Sequence, residues 1–341
     1  MRGPRRFLSR TAVGNVVAAR LVFHAVDIPP ADDVSPRWRL NDEIARGASA
    51  TVWRVARRDD GAAGALKLLH ANPDALARAR FVREAAALRA LDHPRIPALL
   101  DAGERADGTP WIVTALIAGD TLADVITGQL EQVALPVIVE QPGDALWHVH
   151  QAGIVHRDVS PRNVVCANGG AYLVDFGLAA VATECELTTS DAILGTLAYA
   201  APEQLSGGAS SPASDVYGLA ACVFAAWCGR PPHGGATPTQ VLAERLAGGR
   251  YELVARAPQA QAAIDLIEQG LADDPAVRPR DVRAWTSDLA DALDRLSVPL
   301  RTCVDVRRAD ATTVTIGAPR HRSRARALAA GAVLSVAALG G

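Results

Sequence analysis

"VHRDVSPRNVVCANGGAYLVDFG", residues 155–177, sets two aspartates, Asp158 and Asp175, around an asparagine, Asn163, between short apolar runs. Two strand-like runs, "NVVCA" and "AYLVDF", are joined by Asn168-Gly169-Gly170, a turn signal. A hairpin built on that turn brings Asn163 and Asp175 to the same end. Two oxygen donors at one strand end, with a third carboxylate close by, can hold magnesium and orient a hydroxyl. Taken alone, an Asp-x-x-x-x-Asn spacing says no more than that a loop is capped and turned. The rest of the chain has to decide.

The chain has 341 residues, 49% hydrophobic and 21% charged, with a formal net charge of -2. That length suits one large two-lobed domain or two ordinary ones, with ample material for a core. The charge balance excludes a chain that is basic throughout, and we expect no nucleic-acid partner. Charge is uneven locally. The first 26 residues carry five arginines and no acid, and residues 301–326 carry seven arginines against Asp305 and Asp310. Five widely spaced cysteines (Cys166, Cys185, Cys222, Cys228, Cys303) form neither a C-x-x-C pair nor a zinc cluster, so they read as reduced and favour the cytosol. At the C-terminus "ALAAGAVLSVAALGG", residues 327–341, carries no charge. As a helix it spans about 22 Å, short of the roughly 30 Å hydrocarbon core of a bilayer. Membrane association through this tail would therefore be by partial insertion, or with help from the residues before it.

The organisation expected is an N-terminal extension over 1–37, a two-lobed domain over 38–297, an arginine-rich linker over 298–326 and the apolar segment 327–341. In the first lobe, 38–114, "TVWRVARR" alternates as a strand, "DGAAG" turns, "ALKLLH" is a second strand and "DALARARFVREAAALRAL" a helix. Helical patterns dominate the second lobe, 118–297. "DALWHVHQAG" ends at Gly153, "DVYGLAACVFAAWCG" is a buried helix stopped by Gly229, and "AWTSDLADALDRL" is amphipathic.

With its surroundings included, "HRDVSPRN", followed by "DFG" at 175–177 and "APE" at 201–203, resembles the catalytic loop, magnesium loop and activation-segment end of the protein-kinase family. The resemblance covers about residues 38–297. "GALK" ends in Lys67, which matches the strand lysine that holds the α- and β-phosphates, and Glu84 in "FVREAAALRALDHP" matches its ion-pair partner. Asp215 in "SDVYGLA" matches the buried aspartate that braces the catalytic loop, and Arg278 in "DDPAVRPR" the arginine that pairs with the A-P-E glutamate, Glu203. The run "GTLAYAAPEQ", with Thr196 and Pro161, resembles serine/threonine kinases, and the arrangement as a whole is similar to the bacterial receptor-type members.

The resemblance implies an α+β fold with a small β-rich N-lobe and a larger, mainly helical C-lobe. It implies phosphoryl transfer from ATP to protein hydroxyls, with magnesium, or manganese in its place, between protein and phosphates. Asp158 would orient the hydroxyl and accept its proton, Asn163 and Asp175 would hold metal, and Lys67, fixed by Glu84, would set the nucleotide. Ile44 and Gly47 belong to the loop over the phosphates. Val52 and Ala65 match positions above the adenine, Val165 the one beneath it, and Thr114, Ala115 and Leu116 the hinge. Arg157 precedes Asp158, as in kinases activated by an activation-segment phosphate, and "ECELTTSDAILGT" offers Thr188, Thr189 and Ser190.

Three positions depart from the family pattern. The phosphate loop, "IARGASATVW", has Ala45 and Ala50 where the pattern has glycine, and keeps only Gly47. A negative φ at 45 and 50 makes alanine cheap there, and a positive one does not. Ser160 stands in place of a lysine that contacts the γ-phosphate. Arg162, where tyrosine kinases place an arginine, is the candidate to supply the missing charge. Two other readings follow: a pseudokinase that binds nucleotide or protein without turnover, or a small-molecule phosphotransferase of the same fold. Retention of Lys67, Glu84, Asp158, Asn163 and Asp175 argues against the first, and an activation segment ending in A-P-E against the second.

Overall fold

Strands β1 (Trp38–Arg46), β2 (Ala50–Arg57) and β3 (Ala63–Leu69) form an antiparallel meander. This is a computed structural model, which describes residues 34–47, 49–71, 73–128, 134–176, 197–235, 237–246, 249–296, 304–308 and 313–314. Period-two alternation divides the meander into faces. Trp53, Val55, Leu66 and Leu68 are buried on one, with Val34, Trp38, Trp111 and Val113. Val52, Ala65 and Lys67 lie on the other, half-buried.

Helix α1 (Ala75–Ala90) starts where the Asp74 carboxylate accepts the Ala77 amide at 2.6 Å. Its buried stripe is Phe81, Glu84, Ala87 and Leu88, so a carboxylate sits among apolar residues. Strands β4 (Leu99–Glu104) and β5 (Pro110–Ala115) complete a sheet in the order β1-β2-β3-β5-β4.

Below the sheet, β6 (Asp120–Thr121) leads into α2 (Leu122–Thr127), whose first turn is closed by Thr121 and Asp124 in a capping box. Helix α3 (Leu135–Gln151) follows, then a 3-10 turn at Pro161–Asn163 and the hairpin β7 (Val164–Ala167) and β8 (Gly170–Leu173). The helical lobe continues with α4 (Pro202–Leu205), α5 (Pro212–Cys228), α6 (Pro238–Leu246), β9 (Tyr251–Ala255), α7 (Gln261–Gly270) and α8 (Val282–Asp294). Helix α5 is buried on nearly every side, as its apolar composition requires, and is the axis of the main core. At Gly218 on this helix an added Cβ would lie 2.6 Å from the Val159 carbonyl oxygen. Only glycine lets the helix approach the loop after Asp158 so closely.

Two boundaries differ from the sequence expectation. Within the stretch read as a linker, 298–326, β10 (Val304–Arg308) pairs antiparallel with β9 and with β11 (Thr313–Val314). Val304 and Val306 are fully buried in the main core. Five residues of alternating valine are outweighed in composition by the arginines around them, yet burying two valines on one strand face is enough to seat it. At the other end Val34 and Ser35 are buried, so the packed lobe begins inside the segment read as the extension 1–37.

Cys166, Cys222 and Cys228 are buried thiols, and none of the three is in a disulfide. Among the described residues no helix is long and apolar enough to cross a membrane. The apolar segment 327–341, Thr188, Thr189, Ser190, Thr196, Cys185 and Cys303 lie outside the described residues.

Candidate active site

The cleft between sheet and helices is lined from both sides. Strand register puts Val52 opposite Lys67 and Ala65 opposite Thr114, so these four share the sheet face that looks into it. Thr114, Ala115 and Leu116 are half-buried at the end of β5, and Val165 is half-buried on β7 across the cleft. Ile44 is 44% exposed, an unusual position for a large apolar side chain and one suited to covering a ring. In the loop after it, Gly47 donates its amide to the Ala50 carbonyl at 2.8 Å. Neither Ala45 nor Ala50 has a positive φ, so the two alanines carry no backbone strain.

Lys67 Nζ donates to Glu84 Oε1 at 2.8 Å and Oε2 at 3.0 Å, and also to Asp175 Oδ1. One ammonium thus serves two carboxylates. Burial alone would depress the Lys67 pKa, but Asp175 and Glu84 together hold it above its ordinary range. Glu84 is buried on the α1 stripe, and burial pushes it up to about 7 although Lys67 pulls the other way. Asp175 is also subject to the upward push of burial, but Lys67 outweighs it and keeps this carboxylate below its usual range. Lys67 thus holds the Asp175 carboxylate charged.

Asp175 arrives there through backbone geometry. The hairpin register pairs Val164 with Leu173, and the Val174 amide donates to the Asn163 carbonyl at 2.9 Å. Asp175 then adopts φ 56°, in the left-handed region that residues with a Cβ rarely enter. Arg157, beside Asp158, does the same at φ 72°. Both strained residues lie at the cleft, where the surrounding packing holds them.

The Asn163 amide nitrogen donates to the Asp158 carbonyl at 2.8 Å and to its Oδ2 at 2.9 Å. This fixes the Asp158 carboxylate and leaves Asn163 Oδ1 as the oxygen that can ligate. Burial pushes the Asp158 pKa up, and the hydrogen bond from Asn163 draws it back. His156 is fully buried, accepts the Asp158 amide at Nδ1 (3.4 Å), and donates from Nε2 to the Val174 carbonyl at 3.2 Å. Its ring packs 4.8 Å from that of Phe176. Burial keeps this imidazole neutral despite Asp215 and Asp158 nearby.

Asp215, at the start of α5, accepts the amides of His156 at 2.9 Å and Arg157 at 2.8 Å, and pairs with His150 Nε2 at 2.8 Å. Arg278 forks onto Glu203 at 2.7 and 2.9 Å. Burial pushes Glu203 up, but hydrogen bonds from Arg278 and Ser214 hold it low. The sequence pattern had paired both, but three contributors were not legible in it. His150 carries no spacing signal. Gln204 donates to the Arg157 carbonyl at 2.8 Å and follows A-P-E without being part of it. Arg83, one residue before Glu84, bounds with Arg157 a cavity of about 340 Å³ between α1 and the segment Gly153–Val155. The Arg157 Nε is buried and has no hydrogen-bond partner among the described residues.

Among the described residues no group of three or more His, Cys, Asp and Glu converges as a metal cage. Asp175 and Asn163 at one hairpin end instead offer two hard oxygen donors. That fits a small divalent cation whose other ligands are phosphate oxygens and water. Ser160 is buried, 3% exposed, whereas Arg162 is exposed on the outer side of the 3-10 turn.

Comparison with known proteins agrees with this geometry. Residues 38–288 match the protein kinase domain family. The chain is 36% identical over 226 residues to the DNA damage-responsive serine/threonine-protein kinase RqkA of Deinococcus radiodurans, covering 63% of this chain and 33% of that protein. It is 31% identical over 268 residues to the serine/threonine-protein kinase PrkC of Bacillus subtilis, covering 76% of this chain and 41% of that protein. With the serine/threonine-protein kinase PknL of Mycobacterium bovis it shares 32% identity over 277 residues, 77% of this chain and 67% of the relative. The chain thus spans between a third and two-thirds of the length of these relatives. The crystal structure of the Mycobacterium tuberculosis PknI kinase domain superposes with a TM-score of 0.58 at 25% identity, covering 77% of this chain and all of that one. With β-rich and helical lobes around a cleft that joins Lys67 to Glu84 and Asp158 to Asn163, and with the family model matched over most of its length, this chain belongs to the protein kinase family.

Proposed function

We propose that this chain transfers the γ-phosphoryl group of ATP to serine or threonine hydroxyls of proteins. The observation that carries this reading is the convergence, on one cleft, of the Lys67–Glu84 pair, Asp175 and the Asp158–Asn163 pair. Lys67, held by Glu84, sets the α- and β-phosphates, with Ile44, Gly47, Val52, Ala65, Thr114, Ala115, Leu116 and Val165 around the nucleotide. Asp158, fixed by the Asn163 amide, orients the acceptor hydroxyl and takes its proton as the bond to phosphorus forms. Asn163 Oδ1 and Asp175 would hold magnesium, which supplies neutralisation of phosphate charge when bound. A chain that kept these groups for binding alone would have no use for an aspartate clamped by its neighbour's amide at the place of the proton acceptor.

A phosphate on Thr188, Thr189 or Ser190 would find as its receptor the cavity bounded by the two guanidinium side chains of Arg83 and Arg157. Autophosphorylation there orders the activation segment. Replacing all three hydroxyl residues by alanine, or Arg157 by alanine, should slow transfer to substrate by a similar factor, and doing both should add little. The apolar segment 327–341, behind its arginines, gives the chain a membrane-associated end. Deleting it should move the protein to the soluble fraction of broken cells, and an unchanged distribution would remove that role.

The activity is tested by incubating purified protein with labelled ATP, magnesium and a generic protein substrate, followed by phosphoamino-acid analysis. Label on serine and threonine is expected with the wild type and not with Asp158→Asn. ATP binding without transfer, with manganese also tried, would instead support the pseudokinase reading.

A further inference from the structure

Helix α6 meets the stretch that leads into the A-P-E helix through two residues one turn apart, Val241 and Arg245. Val241 is buried against Leu197 and Ala198, with Tyr199 and Leu205 packed around them. Arg245 makes the polar half of the contact. It donates from Nη1 to the Leu197 carbonyl at 2.8 Å and from Nη2 to the Tyr217 hydroxyl at 3.2 Å. Burial pulls this guanidinium below its ordinary range, and Tyr217 pushes back. A half-buried charge of this kind is stable only while its donors are used.

The anchor behind Arg245 is itself held. The Tyr217 hydroxyl, having accepted from Arg245, donates to His233 Nε2 at 2.8 Å, and His233 Nδ1 donates to the Gly249 carbonyl at 3.0 Å. Two guanidinium groups also lie against the Tyr217 ring, Arg278 at 5.0 Å and Arg245 at 5.6 Å from its centroid. They divide the work. Arg278 ties α4 through Glu203, whereas Arg245 ties the backbone ahead of α4 at Leu197. Gln204 of α4 donates to the Arg157 carbonyl, next to Asp158, so the stretch Leu197–Ala201 adjoins the loop that carries Asp158. A protein that presents its hydroxyl to Asp158 lies against this stretch, while the nucleotide lies toward the sheet.

We propose that Arg245 is a positioning residue for the protein substrate: by gripping the Leu197 carbonyl it holds Leu197–Ala201 in the place where the acceptor-bearing chain docks. A charge-assisted hydrogen bond to a carbonyl fixes the backbone whatever the side chain there, and a substrate that finds its docking stretch already ordered loses less freedom on binding. Arg245 touches neither ATP nor the reacting atoms. The inference rests on the kinase reading above.

The test is steady-state kinetics on the full chain with protein substrate and ATP varied in turn, beside ATP hydrolysis to water without substrate. Arg245→Met keeps an apolar stem and removes both donors. It should raise KM for the protein substrate about tenfold and leave KM for ATP and the hydrolysis rate as in wild type. Arg245→Lys, which keeps the charge without the fork, should recover part of the loss, and Tyr217→Phe, which removes the second anchor, should raise the same KM by less. A substrate KM equal to that of wild type in folded Arg245→Met would overturn the inference. So would an equal fall in kcat toward protein and water with both KM values unmoved, which is the signature of damage at the reacting centre. If circular dichroism shows Arg245→Met unfolded, the other two variants decide, and an unchanged substrate KM in both would overturn the inference. Wild type that binds ATP and transfers phosphate to no protein would overturn the kinase reading and this inference with it.

Discussion

Lys67 is the residue on which the state of the cleft depends, since its one ammonium holds both Glu84 and Asp175. Glu84 contributes position rather than chemistry: buried on α1, it converts any movement of that helix into movement of the lysine. Glu84→Gln removes the charge and keeps the shape, and it should lower kcat about 100-fold by misplacing the ammonium. ATP titration calorimetry beside the turnover assay checks this. Unchanged turnover would mean that Asp175 alone positions Lys67. At this scale the sequence was most informative, because the paired residues stand at fixed distances from recognisable neighbours. Lys67, Glu84, Asp158, Asn163 and Asp175 could be named from the resemblance to protein-kinase motifs, and all five meet at the cleft. His150 could not, because it acts through a tertiary contact with Asp215 that has no counterpart in local pattern, and nothing in the local pattern marks Arg83 as lining a cavity with Arg157.

Among the elements, β10 shows what composition conceals. Its two valines alternate as a strand face should, yet the arginines around them made the segment look like a linker. Because Val304 and Val306 are fully buried against the main core, Val306→Ala should cost about 2 kcal/mol of unfolding free energy. Urea unfolding of the variant measures it, and a cost near zero would mean that β10 is not seated. The turn between α5 and α6 makes a second prediction. His233 accepts the Tyr217 hydroxyl at Nε2 (2.8 Å) and donates from Nδ1 to the Gly249 carbonyl at 3.0 Å. Burial, reinforced by Arg245, lowers its pKa to about 3 from the ordinary value of 6.5. The folded protein therefore keeps this imidazole neutral while the unfolded chain takes up a proton first. Its contribution is fully present above pH 6.5 and is lost as pH falls toward 3, by about 1.4 kcal/mol per unit within that window. Between pH 6 and 5 the stability of His233→Gln should fall less steeply than that of wild type, by up to that amount. Parallel slopes in urea titrations would contradict the assignment.

For the whole molecule, the two lobes do separate work that meets at one line of residues. The sheet brings Val52, Ala65, Lys67 and Thr114 to its inner face by alternation alone. The helical lobe carries Asp158 on a loop braced by Asp215 from the central helix, and it holds the A-P-E helix through Arg278 and Glu203. The division into lobes was legible because strand and helix periods change near residue 115. The outer boundaries were not, because what seats Val34 and Val306 is tertiary burial. The account requires that Asp158, clamped by Asn163 and raised by burial, be the proton acceptor in the transfer of phosphate to protein. The most direct test is the rate of label transfer from ATP to protein substrate by Asp158→Asn and wild type, with ATP binding measured on both. A fall in kcat of about 10²- to 10⁴-fold with ATP affinity retained is the result predicted. Equal rates in the two proteins would contradict it.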